Sequence, residues 1–266
     1  MNARYPDSRP GVDAVVFDMD GLLLNTETLA AQALLLAGRE VGIDTPQDFC
    51  HSLIGVPADE CRRLLLDRYG RKAPADDFFA AATRQLLAMV DDGMLELRPG
   101  AEDLLRYLEA RGVPRAVATS SSRNKARHHL SAAGIAGRFD AVVTRDDVAR
   151  GKPHPDLYLC AAARLGAEPS RCLAFEDSYN GVRAAHAAGV PVIMVPDLLK
   201  PTDEMRRLCA DILEDLGQGI EWIAAAGSPG VALTARMTRP AGADAGPRHG
   251  RPGADTGASP RDRAPE

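Results

Sequence analysis

Two aspartates separated by one residue, Asp18 and Asp20, end a short apolar run, Val15-Val16-Phe17, and Gly21 follows them. On a strand, residues i and i+2 point the same way, so both carboxylates could leave the strand end together. Two acids that close raise each other's pKa unless a cation lies between them. The pattern suggests a hard divalent ion with oxygen ligands, Mg²⁺ first. Taken alone, the same residues also describe a strand followed by an acidic turn. Three more groups carry usable chemistry: Thr119-Ser120, Lys152 within Gly151-Lys152-Pro153-His154-Pro155, and Glu176-Asp177. Each has a plainer reading on its own. Ser120 could cap the next helix, Lys152 could be a solvated loop charge, and Glu176-Asp177 could cap a helix and lie on its dipole.

The elements between these groups decide whether they can meet. Residues 12–18 are apolar, rich in valine and too few for a helix. Residues 115–119, 139–143, 172–175 and 190–195 are further strand candidates. Helical patterns lie between them, at 101–111, from Ser122 to about 133, at 155–165 and at 179–188. Pro155 falls in the first turn of its helix, where its missing N–H costs nothing. Short strands alternating with helices indicate a parallel α/β sheet, whose ligands bind outside the carboxyl ends of the strands. Every group named above falls at such an end. Together they offer carboxylates for a metal, and a hydroxyl, backbone N–H groups and a lysine for phosphate oxygens.

The alternation is broken once, after the first strand. From Thr26, apolar residues such as Leu29, Ala33, Leu36 and Ala37 recur at helical spacing up to Gly42. Further helices are expected at 58–69 and 76–90, with no strand between 26 and 92. The fold class is therefore α/β, a Rossmann-like parallel-sheet core with an inserted all-helical cap domain. The expected division is a disordered leader at 1–10, a core at 11–25 and 95–226, a cap at 26–94 and a disordered tail at 227–266. The tail is rich in Gly, Pro, Ala, Asp and Arg and has too little apolar surface to offset its ordering entropy. Asn25 and Leu95 are the expected hinges.

Composition narrows the partners. The net charge is −5 and the basic residues are scattered, which argues against nucleic acid and an anionic membrane surface. Five cysteines with no C-x-x-C pair suggest neither a zinc ribbon nor a disulfide framework. The N-terminus has no secretory pattern, and no apolar run approaches the roughly 20 residues of a membrane span. A cytoplasmic monomer acting on a small molecule is the expectation.

Taken together and in order, Phe17-Asp18-Met19-Asp20-Gly21, Thr119-Ser120, Gly151-Lys152-Pro153 and Phe175-Glu176-Asp177-Ser178 with Asn180-Gly181 resemble the haloacid dehalogenase superfamily. The likeness runs over residues 12–222. It is greatest to the subfamily with a helical cap after the first strand, which includes β-phosphoglucomutase and many sugar-phosphate and nucleotide phosphatases. The resemblance implies that Asp18 is the nucleophile and Asp20 the general acid and base. It implies a Mg²⁺ site made by the Asp18 carboxylate, the Asp20 backbone carbonyl and the Asp177 carboxylate, with Glu176 acting through a bound water. Ser120 would donate to a phosphate oxygen, and Lys152 would bridge that phosphate and Asp18.

Mutases of this kind tend to carry a histidine shortly after the paired aspartates and an arginine in the first cap loop. The matching positions here are Ala30 and Ala58. Hydrolysis of a small phosphomonoester, a sugar phosphate or nucleotide-like compound, is therefore the expected activity. A phosphosugar mutase is the alternative. A non-catalytic metabolite-binding or regulatory protein on the same fold is the alternative of another class.

Overall fold

The computed structural model describes residues 11–226 except 55 and 57. The expected disordered leader at 1–10 and disordered tail at 227–266 lie outside the described residues, as do two positions of the 51–57 loop.

Six strands form one parallel sheet: β1 (Ala14–Phe17), β2 (Arg115–Ala118), β3 (Ala141–Val143), β4 (Cys172–Glu176), β5 (Val192–Met194) and β6 (Asp211–Ile212). Their spatial order is β3-β2-β1-β4-β5-β6. Successive connections run one way from β1 to β3 and the other way from β4 to β6. The order therefore reverses beside β1, between β1 and β4, where doubly wound sheets open a crevice for ligands. Val15 and Phe17 pack with Leu173 and Phe175 on one face, and Ala14 and Val16 with Cys172 and Ala174 on the other. This is the two-residue alternation of a strand buried on both sides. The Phe17 and Phe175 rings stack at 5.5 Å under the carboxyl ends of β1 and β4.

Helices cover both faces. Helices α5 (Ala101–Ala110), α6 (Arg123–Ala132) and α10 (Gln218–Ala225) pack on the Phe17 face. Helices α7 (Asp156–Leu165), α8 (Tyr179–Ala187) and α9 (Asp203–Leu208) pack on the other. Three of these helices start on side-chain caps: Ser122 accepts from Lys125 N at α6, Ser178 from Gly181 N at α8 and Thr202 from Met205 N at α9. Of the three consecutive serines, Ser122 is the cap, so that plainer reading does not apply to Ser120.

Four helices lie between β1 and β2 before α5: α1 (Thr26–Val41), α2 (Gln47–Ser52), α3 (Ala58–Tyr69) and α4 (Ala75–Asp91). They share a core of their own, around Leu34, Phe49, Leu65 and Phe78. The two chain crossings into this insertion lie side by side. Leu24 bridges Leu97 in antiparallel fashion, Asn25 N donates to Glu96 O at 3.1 Å, and Glu96 N donates to Asn25 Oδ1 at 2.9 Å. His128 on α6 pairs with Asp91 on α4 at 2.8 Å, a second tie between sheet and insertion. No helix among the described residues is long and apolar enough to cross a membrane.

Candidate active site

The register sets the site. Phe17 pairs with Phe175, so the next residues, Asp18 and Glu176, emerge level on adjacent strands. Asp18 N donates to Phe175 O at 3.1 Å, which fixes the turn out of β1. Among the described residues one group of acids is placed to hold a metal ion: Asp18, Glu176 and Asp177. All three are buried, with ligand atoms within 4.8 Å of one another. Lys152, from the loop before α7, pairs with Asp18 and reaches Glu176 Oε1 at 2.5 Å.

Glu176 is fully engaged. Oε1 accepts from Lys152 Nζ and from Tyr158 OH at 2.7 Å. Oε2 accepts from Asp177 N, Ser178 N and Ser178 Oγ at 3.0–3.1 Å. Among the described residues the Asp177 carboxylate accepts no hydrogen bond, and the Asp18 carboxylate is held by Lys152 alone. The oxygens open to a cation are thus on Asp18 and Asp177. Three buried acids face one lysine, an excess of negative charge that suits a divalent ion with hard oxygen ligands. Burial is the main force raising the Asp18 carboxyl. Lys152 opposes it, and Glu176 and Asp20 add to it. Burial, then Asp18 and Glu176, push Asp177 up as well. Burial works against the Lys152 ammonium, but Asp18 and Glu176 outweigh it and raise its pKa.

Asp20 behaves differently. Its carboxylate lies outside the acidic trio and turns toward α6. Ser121 Oγ donates to Oδ2 at 2.6 Å, Lys125 Nζ lies 3.2 Å from Oδ1, and His129 Nδ1 lies 3.7 Å from Oδ1. Burial alone would push this carboxyl up. Lys125, His129 and Ser121 outweigh it and hold it well below the usual carboxylate range. Ser120, expected to contact phosphate, is exposed just past the end of β2, and its side chain makes no hydrogen bond among the described residues. Gly21 has φ +83°, and a Cβ there would collide with Asp177 Oδ2, so the turn needs glycine on both counts.

A family model for haloacid dehalogenase-like hydrolases matches residues 12–189. The chain belongs to that family. A probable pseudouridine-5′-phosphatase of Drosophila melanogaster is 37% identical over 190 residues, 68% of this chain and 80% of that one. A phosphorylated carbohydrates phosphatase of Thermotoga maritima is 31% identical over 179 residues, 67% of this chain and 82% of that one. A family hydrolase of Deinococcus radiodurans, crystallised with bound phosphate and sodium, superposes with a TM-score of 0.71. It is 31% identical and the match covers 83% of this chain and 98% of that one. Within the family, this hydrolase is a phosphatase.

Several residues of the phosphatase site carry no motif signal. Tyr158 reads as one more large residue on the buried side of a helix, yet its hydroxyl meets Glu176. Lys125 and His129 sit in a polar helix with nothing to mark them. Glu27, in the first turn of α1, lies against Gly21. Burial, with Asp197 and Asp20 adding to it, raises its carboxyl to about 7.

Gly181 is the one glycine inside α8. A Cβ there would collide with both oxygens of the Glu176 carboxylate. Alanine normally favours a helix over glycine by about 1 kcal/mol. Here Gly181→Ala is expected to destabilise by roughly 2–4 kcal/mol, because Glu176 must leave its donors. Chemical denaturation checks the sign, and a gain in stability would contradict the packing described.

Proposed function

We propose that this phosphatase hydrolyses a small phosphomonoester, with Mg²⁺ as cofactor, by passing the phosphoryl group through Asp18. The observation that carries the reading is the buried contact of Asp18 with Lys152 beside the open carboxylate of Asp177. Asp18 attacks phosphorus and becomes an aspartyl phosphate while the bond to the leaving oxygen breaks. Asp20 gives its proton to that oxygen. It then takes a proton from the water that hydrolyses the intermediate. Lys152 aims the nucleophile and meets a phosphate oxygen, and the exposed Ser120 hydroxyl meets another. Asp18 and Asp177 would hold Mg²⁺ through their carboxylates and Asp20 through its backbone carbonyl, with Glu176 acting behind them. When bound, Mg²⁺ offsets the charge of the approaching phosphate and the charge that spreads in the transition state.

In this reading residues 26–94 are a cap over a core formed by 11–25 and 95–226, and the paired crossings at Asn25 and Glu96 are its hinge. An open cavity of about 610 Å³ lies among the cap helices, lined by Ala30, Leu34, Phe79 and Leu86 with Asp59 and Arg62 among others. An alanine at position 30, the place of the expected mutase histidine, favours hydrolysis over transfer back to a sugar. The names of the relatives direct the search to sugar phosphates and nucleoside-like monophosphates.

Turnover of p-nitrophenyl phosphate that needs Mg²⁺ and stops with a chelator is the first test. A panel of phosphorylated metabolites then names the substrate. Glucose 6-phosphate formed from β-glucose 1-phosphate faster than phosphate is released would overturn hydrolysis in favour of the mutase. Mg²⁺ at about a hundredfold over its Kd should stabilise the fold by roughly 2–3 kcal/mol in thermal shift. Asp177→Asn should lose that shift. Protons and metal compete for carboxyls whose pKa burial has raised, so Mg²⁺ should bind more tightly at about pH 8 than at about pH 6.

A further inference from the structure

Among the described residues, a buried imidazole beside the site makes no hydrogen bond. His129 is buried, 1% exposed, and neither ring nitrogen makes a hydrogen bond. Unpaired buried polar groups are costly and uncommon in folded proteins. The acceptor it faces is Asp20 Oδ1, 3.7 Å from Nδ1, which is itself buried with no hydrogen bond. Closing that gap by less than about 1 Å would make a normal bond. Lys125 approaches the same oxygen, 3.2 Å away. Lys125 and His129 are four residues apart, so they share one face of α6. Ser121, just ahead of the helix, holds the other oxygen. Three potential donors thus converge on a group that, when ionised, offers only acceptors.

We infer that Lys125 and His129 are positioning residues that hold the Asp20 carboxylate for the step in which water attacks the aspartyl phosphate. The inference rests on the phosphatase reading above. In that step a water proton passes to Asp20, the water oxygen bonds phosphorus, and the bond from phosphorus to Asp18 breaks with its electrons returning to the Asp18 carboxylate. Phosphate leaves, and Asp20 returns to the carboxylate as its proton passes to solvent. An Asp20 side chain free to rotate would spend less time on the water. Neither Lys125 nor His129 touches the reacting atoms; both act through Asp20.

A double-mutant cycle on the full chain, with Mg²⁺ and p-nitrophenyl phosphate, tests this. Lys125→Met and His129→Leu should each lower kcat roughly tenfold, as expected for losing a hydrogen bond to a charged group. In an Asp20→Asn chain the same changes should cost less than about twofold, because their route of action is already gone. Lys125→Arg, which keeps the charge, should retain most of the wild-type kcat. Lys125 is 40% exposed, so its variants decide the matter if His129→Leu fails to fold. Equal losses in both backgrounds would assign the two residues a structural role and overturn the inference. So would wild-type kcat in Lys125→Met when Asp20→Asn is impaired. A wild-type chain without turnover, or an Asp20→Asn chain with full turnover, would instead overturn the phosphatase mechanism on which it rests.

Discussion

Asp18→Asn is expected to abolish turnover while leaving the fold as stable as before, or more so. The loss should be at least about a thousandfold in kcat, since no other group is placed to take the phosphoryl group. The stability side follows from burial. The folded protein raises the Asp18 carboxyl above its unfolded value. The stabilisation contributed by the neutral acid is present below the usual carboxylate range and is lost as pH rises through the raised value. At neutral pH the unfolded chain ionises Asp18 freely while the folded site resists it, a cost that Lys152 only partly offsets, and Asn has no charge to bury. Lys152 keeps Glu176 as its partner after the change. The melting temperature of Asp18→Asn should therefore match or exceed wild type at neutral pH, and the difference should shrink in acid. Retained turnover would remove Asp18 from the mechanism. A large drop in melting temperature at neutral pH would mean that the Lys152 pair outweighs the burial.

Much of this arrangement is legible in the sequence, and what is missed has physical causes. The helix expected to stop at Gly42 does so, with Gly42 in the left-handed region at φ 75°, a conformation that glycine adopts without strain. The helix expected at 58–69 is observed as Ala58–Tyr69. Strands are shorter than their apolar runs: 12–18 becomes Ala14–Phe17 and 190–195 becomes Val192–Met194. The apolar pattern extends past the last paired residue because flanking turns are buried too. Helix α2 escapes notice because its six residues span too few turns for a period to show. Strand β6, only two residues long, escapes for the same reason. At the site, the residues with telling types and neighbours, Asp18, Asp20, Lys152, Glu176 and Asp177, could be picked out. The structure brings Asp18, Lys152, Glu176 and Asp177 together and turns the Asp20 carboxylate to α6. Tyr158, Lys125 and His129 could not be picked out, because a hydroxyl or an imidazole aimed by a helix looks in sequence like any other side chain on that helix.

Glu176→Gln is expected to destabilise the protein strongly, although it changes one oxygen to an NH₂ group. Five donors converge on the Glu176 carboxylate, and the side chain is wholly buried. A carboxylate accepts from all of them because it carries no hydrogen of its own. Glutamine must place its NH₂ either against Lys152 and Tyr158 or against the N–H groups of Asp177 and Ser178. Both orientations set donor against donor in a wholly buried site. Breaking one partner of a buried charged pair typically costs about 3–5 kcal/mol. In a protein of this size that corresponds to a fall in melting temperature of roughly 10 °C. The consequence extends to the reaction, since Oε1 is one of the two anchors of Lys152 and the Oε2 bonds fix the turn that carries Asp177. Glu176 thus acts as the keystone of the turn after β4 and the lysine at once, a heavier duty than steadying a bound water. If it served the metal alone, Glu176→Gln would melt like wild type without Mg²⁺ and lose only the Mg²⁺-induced shift. Melting curves of the two proteins, each with chelator and with Mg²⁺, separate these outcomes: a keystone lowers both curves, whereas a metal contact alone lowers only the second.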